Sequence, residues 1–271
     1  MYQGNSPTSV QKPLPTMYDL PSEYPEELGL PDEFHAFQPQ LLRETCQLPD
    51  YSADDIFIGT DINVYYDSRH TPWHKRPDWF LVLGVPQAKQ QEDLRWSYVI
   101  WQEGVSPFLV VELLSPGTED EDLGRSLRQI NQPPGKWEVY ERILRVPYYV
   151  VFDRYENNFR LFQLTATRYQ ELEITDNRYW FEELDLGLGV WEGDFQAATG
   201  QWLRWYDAAG HWIPTSAEFA EQEKQRAEQE TQRANQETQR ANQEAQRADR
   251  EQQRAERLAE RLRELGVDPE I

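Results

Sequence analysis

The chain has 271 residues, 38% of them hydrophobic and 13% aromatic, and a formal net charge of −21. That is enough for one sizeable core plus an appendage. Before Ala217 there are 34 acidic and 17 basic residues. So acidic a body argues against tight, non-specific nucleic-acid binding by counterion displacement, while leaving room for a local basic groove or a metal-mediated contact. A single cysteine, Cys46, excludes an intramolecular disulfide and a multi-cysteine zinc site and fits a reducing compartment. No window approaches the roughly 18 consecutive apolar residues of a membrane span. The N-terminus lacks a secretory pattern, so the sequence reads as soluble and cytoplasmic, with no membrane partner.

Residues 1–36 are rich in Pro and Glu and read as an arm. A short helix is expected around "FHAFQPQLLRETCQL", with Cys46 as a small core residue. "IFIGTDINVYYD" predicts one long strand or a strand pair. "DWFLVLG" (Asp78–Gly84) predicts a strand, which Pro77 can precede without breaking a ladder. "RWSYVIWQEG" (Arg95–Gly104) predicts another, within an extra hairpin over "EDLRWSYVIWQEG". "PFLVVELLS" is the most buried-looking strand of all.

The period then changes. "KWEVYERIL" places Trp137, Tyr140, Glu141 and Leu144 at helical spacing, after the breaker "NQPPG",. "VPYYVVFD" (Val146–Asp153) is a strand again, so strand, helix and strand within about 45 residues predict a crossover joining parallel strands. "YENN" is a turn ahead of "FRLFQL", and a β-rich remainder follows,. Residues 37–216 therefore read as one mixed α/β body.

Residues 217–265 differ in kind, and 266–271 form a short tail. Alanine recurs every seventh residue at 220, 227, 234, 241, 248 and 255, and Leu262 continues the series. This is heptad spacing for a long helix or coiled coil, but its seam of Ala, Thr and Gln buries little. Glu223 lies three residues before Arg226, a pair worth a few tenths of a kcal/mol. A solvated helix and an oligomer seam both fit, and Leu258, Leu262 and Leu265 are its most adhesive residues.

The chemistry rests on carboxylates. The four histidines, His35, His70, His74 and His211, are scattered, and Pro72 argues against a helix presenting both His70 and His74 to a metal,. Glu112 sits inside "FLVVELLS", where a bare charge is costly unless it is paired, hydrogen-bonded or metal-bound. Asp78 opens another strand, although an acid there can also be a simple turn or cap residue. Lys136 starts the helix that follows, where lysines are ordinarily solvated. Two carboxylates on adjacent strands can share a hard divalent cation, which acidifies water and stabilises charge on a phosphodiester. A nearby lysine can orient the nucleophile or neutralise that charge. Tyr140 shares the helix face of Lys136, Asp61 is an alternative third acid, and Asp153 reads as a turn residue. The acidic loop "SPGTEDEDLG" beside the strand end could carry substrate contacts once a cation offsets its charge.

In order and spacing, "RPDWFLVLG", "PFLVVELLSPGT" and "KWEVYERILRVPYYVVFD" resemble the Uma family of restriction-endonuclease-like proteins, in the PD-(D/E)XK nuclease superfamily, over roughly Phe37 to Trp205,. The resemblance implies a mixed central sheet flanked by helices and a Mg²⁺ (or Mn²⁺) phosphodiesterase-type site acting on DNA. Asp78 and Glu112 would be the metal-binding acids and Lys136 the third catalytic residue. The superfamily's lysine usually lies two residues after the second acid. That position is Leu114 here, and Lys136 is the natural substitute. The other class of reading is a catalytically inactive nuclease fold that self-associates or docks partners through its C-terminal heptads.

Overall fold

The computed structural model describes residues 32–115, 117–125 and 132–266. Helix α1 (Glu33–Thr45) is capped by Asp32, whose side chain accepts the His35 amide hydrogen at 3.1 Å,. Helix α1 thus begins within the last residues of the stretch read as the arm. The rest of the arm, and residues 267–271 of the tail, lie outside the described residues.

Twelve strands follow among the described residues: β1 (Ile56–Thr60), β2 (Asn63–Tyr65), β3 (His74–Lys75), β4 (Trp79–Leu83), β5 (Ser97–Val99), β6 (Leu109–Leu113), β7 (Tyr148–Asp153), β8 (Asn158–Thr165), β9 (Arg168–Glu171), β10 (Arg178–Phe181), β11 (Leu186–Phe195) and β12 (Ala198–Tyr206). The central sheet has the order β1-β4-β6-β7-β8-β9. Its β6 and β7 run parallel, as the crossover pattern predicts, and every other pair is antiparallel.

Alternation along these strands builds two cores. Trp79, Leu81, Leu109, Val111, Leu113, Val150 and Phe152 face one of them, which α1 and the β10-β11-β12 sheet complete. Gln38, fully buried on α1, fixes that packing by donating to the Leu203 carbonyl and accepting from its amide, both at 2.8 Å. Cys46 is buried in the same core. Phe80, Val82, Val110, Leu114, Tyr149 and Val151 face the other core, together with Tyr98, Val139, Tyr140 and Leu144.

Two expectations are corrected. "IFIGTDINVYYD" is neither one strand nor a paired hairpin. Asp61 turns the chain at a φ of 51°, and β2 leaves for a small sheet of order β3-β2-β5. The Arg95–Gly104 strand is only β5, followed by the helical turn α2 (Ile100–Glu103), and β5 pairs parallel with β2, so there is no hairpin. The chain folds back because Arg95 grips Glu103 at 2.7 Å and Gly104 ends α2 at a φ of 75°,.

The chain divides into two compact units between Ile213 and Pro214. The second consists chiefly of α5 (Ser216–Glu264), a 49-residue helix with no buried residue. Thr215 and Glu218 form a reciprocal capping box at its start,. No helix among the described residues is long and apolar enough to cross a membrane.

Candidate active site

Strand parity answers why a carboxylate sits in the most buried strand. Leu109, Val111 and Leu113 pack on the α1 side, so Val110 and Glu112 turn to the opposite face. Trp79 pairs with Val111 and Phe80 with Val110. One step further along the same antiparallel register, Asp78 comes alongside Glu112. Asp78, the residue immediately before β4, thus lies beside Glu112 at the C-terminal end of β6.

Helix α4 (Lys136–Glu138) continues as a π-helical turn over Val139–Ile143, a distortion common at functional sites. It delivers both partners of Glu112. Lys136 Nζ lies 2.9 Å from Glu112 Oε2, and the Tyr140 hydroxyl donates to Oε1 at 2.7 Å. Glu112 is 0% exposed and the Lys136 side chain 21%. The ordinary solvated role of a first-turn lysine therefore does not hold here. Lys136 also lies 2.9 Å from Asp122 Oδ1. Asp122 closes the short helix α3 (Glu119–Asp122) and is 1% exposed. Among the described residues this ion pair is the contact that the Asp122 carboxylate makes, and its oxygens have no other donor.

Neighbouring residues fix this arrangement. Tyr149 donates its hydroxyl to the Asp122 carbonyl at 3.0 Å. Glu121 takes the Lys75 ammonium at 2.9 Å. Gly124, at a φ of 69°, lies so close to Trp137 that any Cβ would strike the indole, so α3 and α4 stay adjacent.

Leu113, next to Glu112, is held on both sides. Its N–H donates to Asp78 Oδ2 at 2.7 Å, and its carbonyl lies 3.2 Å from His35 Nε2. His35 Nδ1 meets Asp32 at 2.8 Å, and Nε2 also lies 3.1 Å from Ser115 Oγ. Asp32 is further paired with Arg154.

Burial is the main force raising Glu112 well above the ordinary carboxylate value. The Lys136 charge opposes it, Asp78 and Asp122 add to it, and Tyr140 opposes it. Burial likewise raises Asp78, against the charges of Lys136 and His35 and the Leu113 amide. Desolvation alone would lower Lys136, but Glu112, Asp122 and Asp78 together hold it well above its usual value. Glu112 and Asp122 thus share one ammonium, whose charge Asp78 also feels without touching it. All three acids are hard oxygen donors, the kind Mg²⁺ and Mn²⁺ take, and Asp122 is buried with no other donor among the described residues. The residues fit a divalent cation in charge and chemistry. As they stand, no three His, Cys, Asp or Glu side chains among the described residues are spaced to hold one.

The other sequence candidates lie elsewhere. Asp61 is an exposed turn residue paired with Arg76, and Asp153 caps the turn after β7 through the Tyr155 amide. His70 stacks on Trp73, and the His74 ring lies tilted against Tyr65. Asp122 and His35 are the two residues at the site that sequence reasoning did not single out.

A family profile matches residues 29–198, more than half of the chain; its description is "Uma2: Putative restriction endonuclease". The chain belongs to the Uma2 family. No curated protein gives a match. The Uma2 match begins upstream of Phe37, so it takes in Asp32 and His35 as well as Asp78, Glu112, Asp122, Lys136 and Tyr140. The mixed central sheet with flanking helices is a restriction-endonuclease-like arrangement.

Proposed function

We propose that the chain is a metal-dependent endonuclease hydrolysing DNA phosphodiester bonds, with Asp78 and Glu112 holding Mg²⁺ or Mn²⁺ and Lys136 as the third catalytic residue. The observation that carries this reading is the approach of Lys136 to Glu112 at 2.9 Å across 24 residues of sequence, without an ExK motif. Lys136 and Tyr140 together occupy both oxygens of Glu112 and hold its orientation, while the Leu113 amide holds Asp78. When bound, a divalent cation supplies charge stabilisation for the phosphodiester transition state and a more acidic water. The chain's own part is preorganisation: two fixed acids, one of them fully buried, and an ammonium that neutralises charge on the scissile phosphate or orients the attacking water.

The test is a cleavage assay on plasmid and linear DNA with Mg²⁺ or Mn²⁺, wild type against Glu112→Ala. Cleavage is expected for the wild type and its loss in the variant. Absence of metal-dependent cleavage on every DNA tried sinks the enzyme reading.

One observation favours a second reading, an interaction module. Helix α5 leaves Phe219, Leu258 and Leu262 exposed, as is its C-cap Leu265, and these apolar side chains can pair with a second copy or another protein. Sedimentation of the full chain and of a chain ending at Thr215 decides this, since equal association states refute it.

A further inference from the structure

We infer that Asp122 is the third carboxylate of the cation site, and that the Lys136 ammonium stands in for the divalent cation in its absence, so that metal and lysine compete for the same carboxylates. This rests on the cation-binding part of the proposed function and adds to it a ligand and an exchange.

Asp122 is the least satisfied buried group near the site. It is 1% exposed, and among the described residues neither oxygen has a donor beyond the Lys136 ammonium. Its one charge partner among the described residues, Lys136 Nζ at 2.9 Å from Oδ1, is shared with Glu112 at the same distance. Native proteins rarely leave a buried carboxylate oxygen without a donor, and such an exception calls for a ligand or ion. An acid needed only to anchor Lys136 would be expected to receive donors as Glu112 does from Tyr140. What anchors α3 is instead its backbone, through the Tyr149 hydroxyl on the Asp122 carbonyl. The side chain is committed only to the Lys136 ammonium that it shares with Glu112.

Spacing explains why the acids do not already form a metal cage. Carboxylates around an ammonium stand at hydrogen-bond distance, here 2.9 Å, whereas Mg²⁺ takes oxygens at roughly 2.0–2.1 Å. No three acidic side chains among the described residues are spaced for a metal, so exchange of the ammonium for a cation would draw these oxygens inward. A divalent ion brings one more positive charge than the ammonium to three acids that one ammonium cannot balance. The lysine it displaces becomes available to a phosphate.

The experiment is calorimetric titration of the full chain with Mn²⁺ alone, without DNA, on wild type, Asp122→Asn and Lys136→Met. Asp122→Asn should weaken Mn²⁺ binding by at least about tenfold, and Lys136→Met should tighten it several-fold because the internal competitor is gone. Undiminished affinity in a folded Asp122→Asn overturns the inference. So does a Lys136→Met protein that binds no more tightly than wild type. Circular dichroism checks that each variant is folded, and if Asp122→Asn is not, the Lys136→Met result decides alone. The outcome is separable from that of the endonuclease reading. The expected Mn²⁺ pattern without DNA cleavage keeps this inference and rejects the nuclease, whereas no Mn²⁺ uptake by wild type or Lys136→Met rejects both the inference and the cation site.

Discussion

Lys136 Nζ and Glu112 Oε2 stand 2.9 Å apart, tying the first turn of α4 to the centre of the β6–β7 sheet. Truncating one partner of a buried pair strands the other's charge. Lys136→Ala should therefore destabilise the protein by about 3–5 kcal/mol, read as a lower denaturant midpoint. Glu112→Gln added to Lys136→Ala should recover part of that loss, because the stranded charge is removed with it. Additive single losses refute the coupling.

Tyr140 tests the other oxygen of Glu112. Its hydroxyl donates at 2.7 Å within the core. Tyr140→Phe keeps the ring and its contact with Tyr149 and deletes only that bond. A hydrogen bond to a charged acceptor is worth about 1.5–3 kcal/mol, so a loss in that range is expected by urea titration. A change under about 0.5 kcal/mol, the scale of an ordinary surface substitution, means that the hydroxyl does not hold Glu112.

The pH dependence has a definite sign. Burial raises Glu112 well above its ordinary 4.5, with Lys136 opposing and Asp78 and Asp122 adding. A carboxyl with a raised folded value binds its proton more tightly when folded. Its contribution to stability is complete below the unfolded value and is lost as pH rises through the folded one. Lys136, also raised from its ordinary 10.5, keeps its contribution through the neutral range and loses it only on the alkaline side. In chelator, the wild-type melting temperature should therefore fall relative to Glu112→Gln as pH rises from the ordinary carboxylate value into the neutral range. Parallel melting profiles for the two proteins contradict the raised value.

Much of this site can be read from local pattern. An aliphatic run interrupted by one acid marks Glu112, and the strand–breaker–helix–strand order places Lys136 at the start of the element that packs back on that strand. Asp122 is less legible. It sits in the run "TEDED", where only the tertiary packing of α3 against Trp137 and Tyr149 selects which acid is buried. His35 escaped because its role comes from contacts 78 and 80 residues away, to Leu113 and Ser115. The β2–β5 pairing was missed for a related reason: alternation identifies a strand but does not name its partner.

Strand β1 offers a test of how tightly the sheet sets Asp78. Gly59 lies directly opposite Phe80, and a Cβ at Gly59 would fall inside the phenyl ring. Phe80 is fully buried between Phe57 and Tyr98, with ring centroids at 5.8 and 5.6 Å, so it has little room to retreat. Overpacking of this kind costs about 1–3 kcal/mol, and Gly59→Ala should lose that much in a denaturant titration. Relief of the clash requires β1 and β4 to separate, and Asp78 is the residue immediately before β4. Gly59→Ala should therefore also weaken Mn²⁺ binding, although Gly59 touches no member of the acidic set. A variant that loses stability but keeps wild-type Mn²⁺ affinity would show that Asp78 is positioned by the Leu113 amide alone, independently of the β1–β4 spacing.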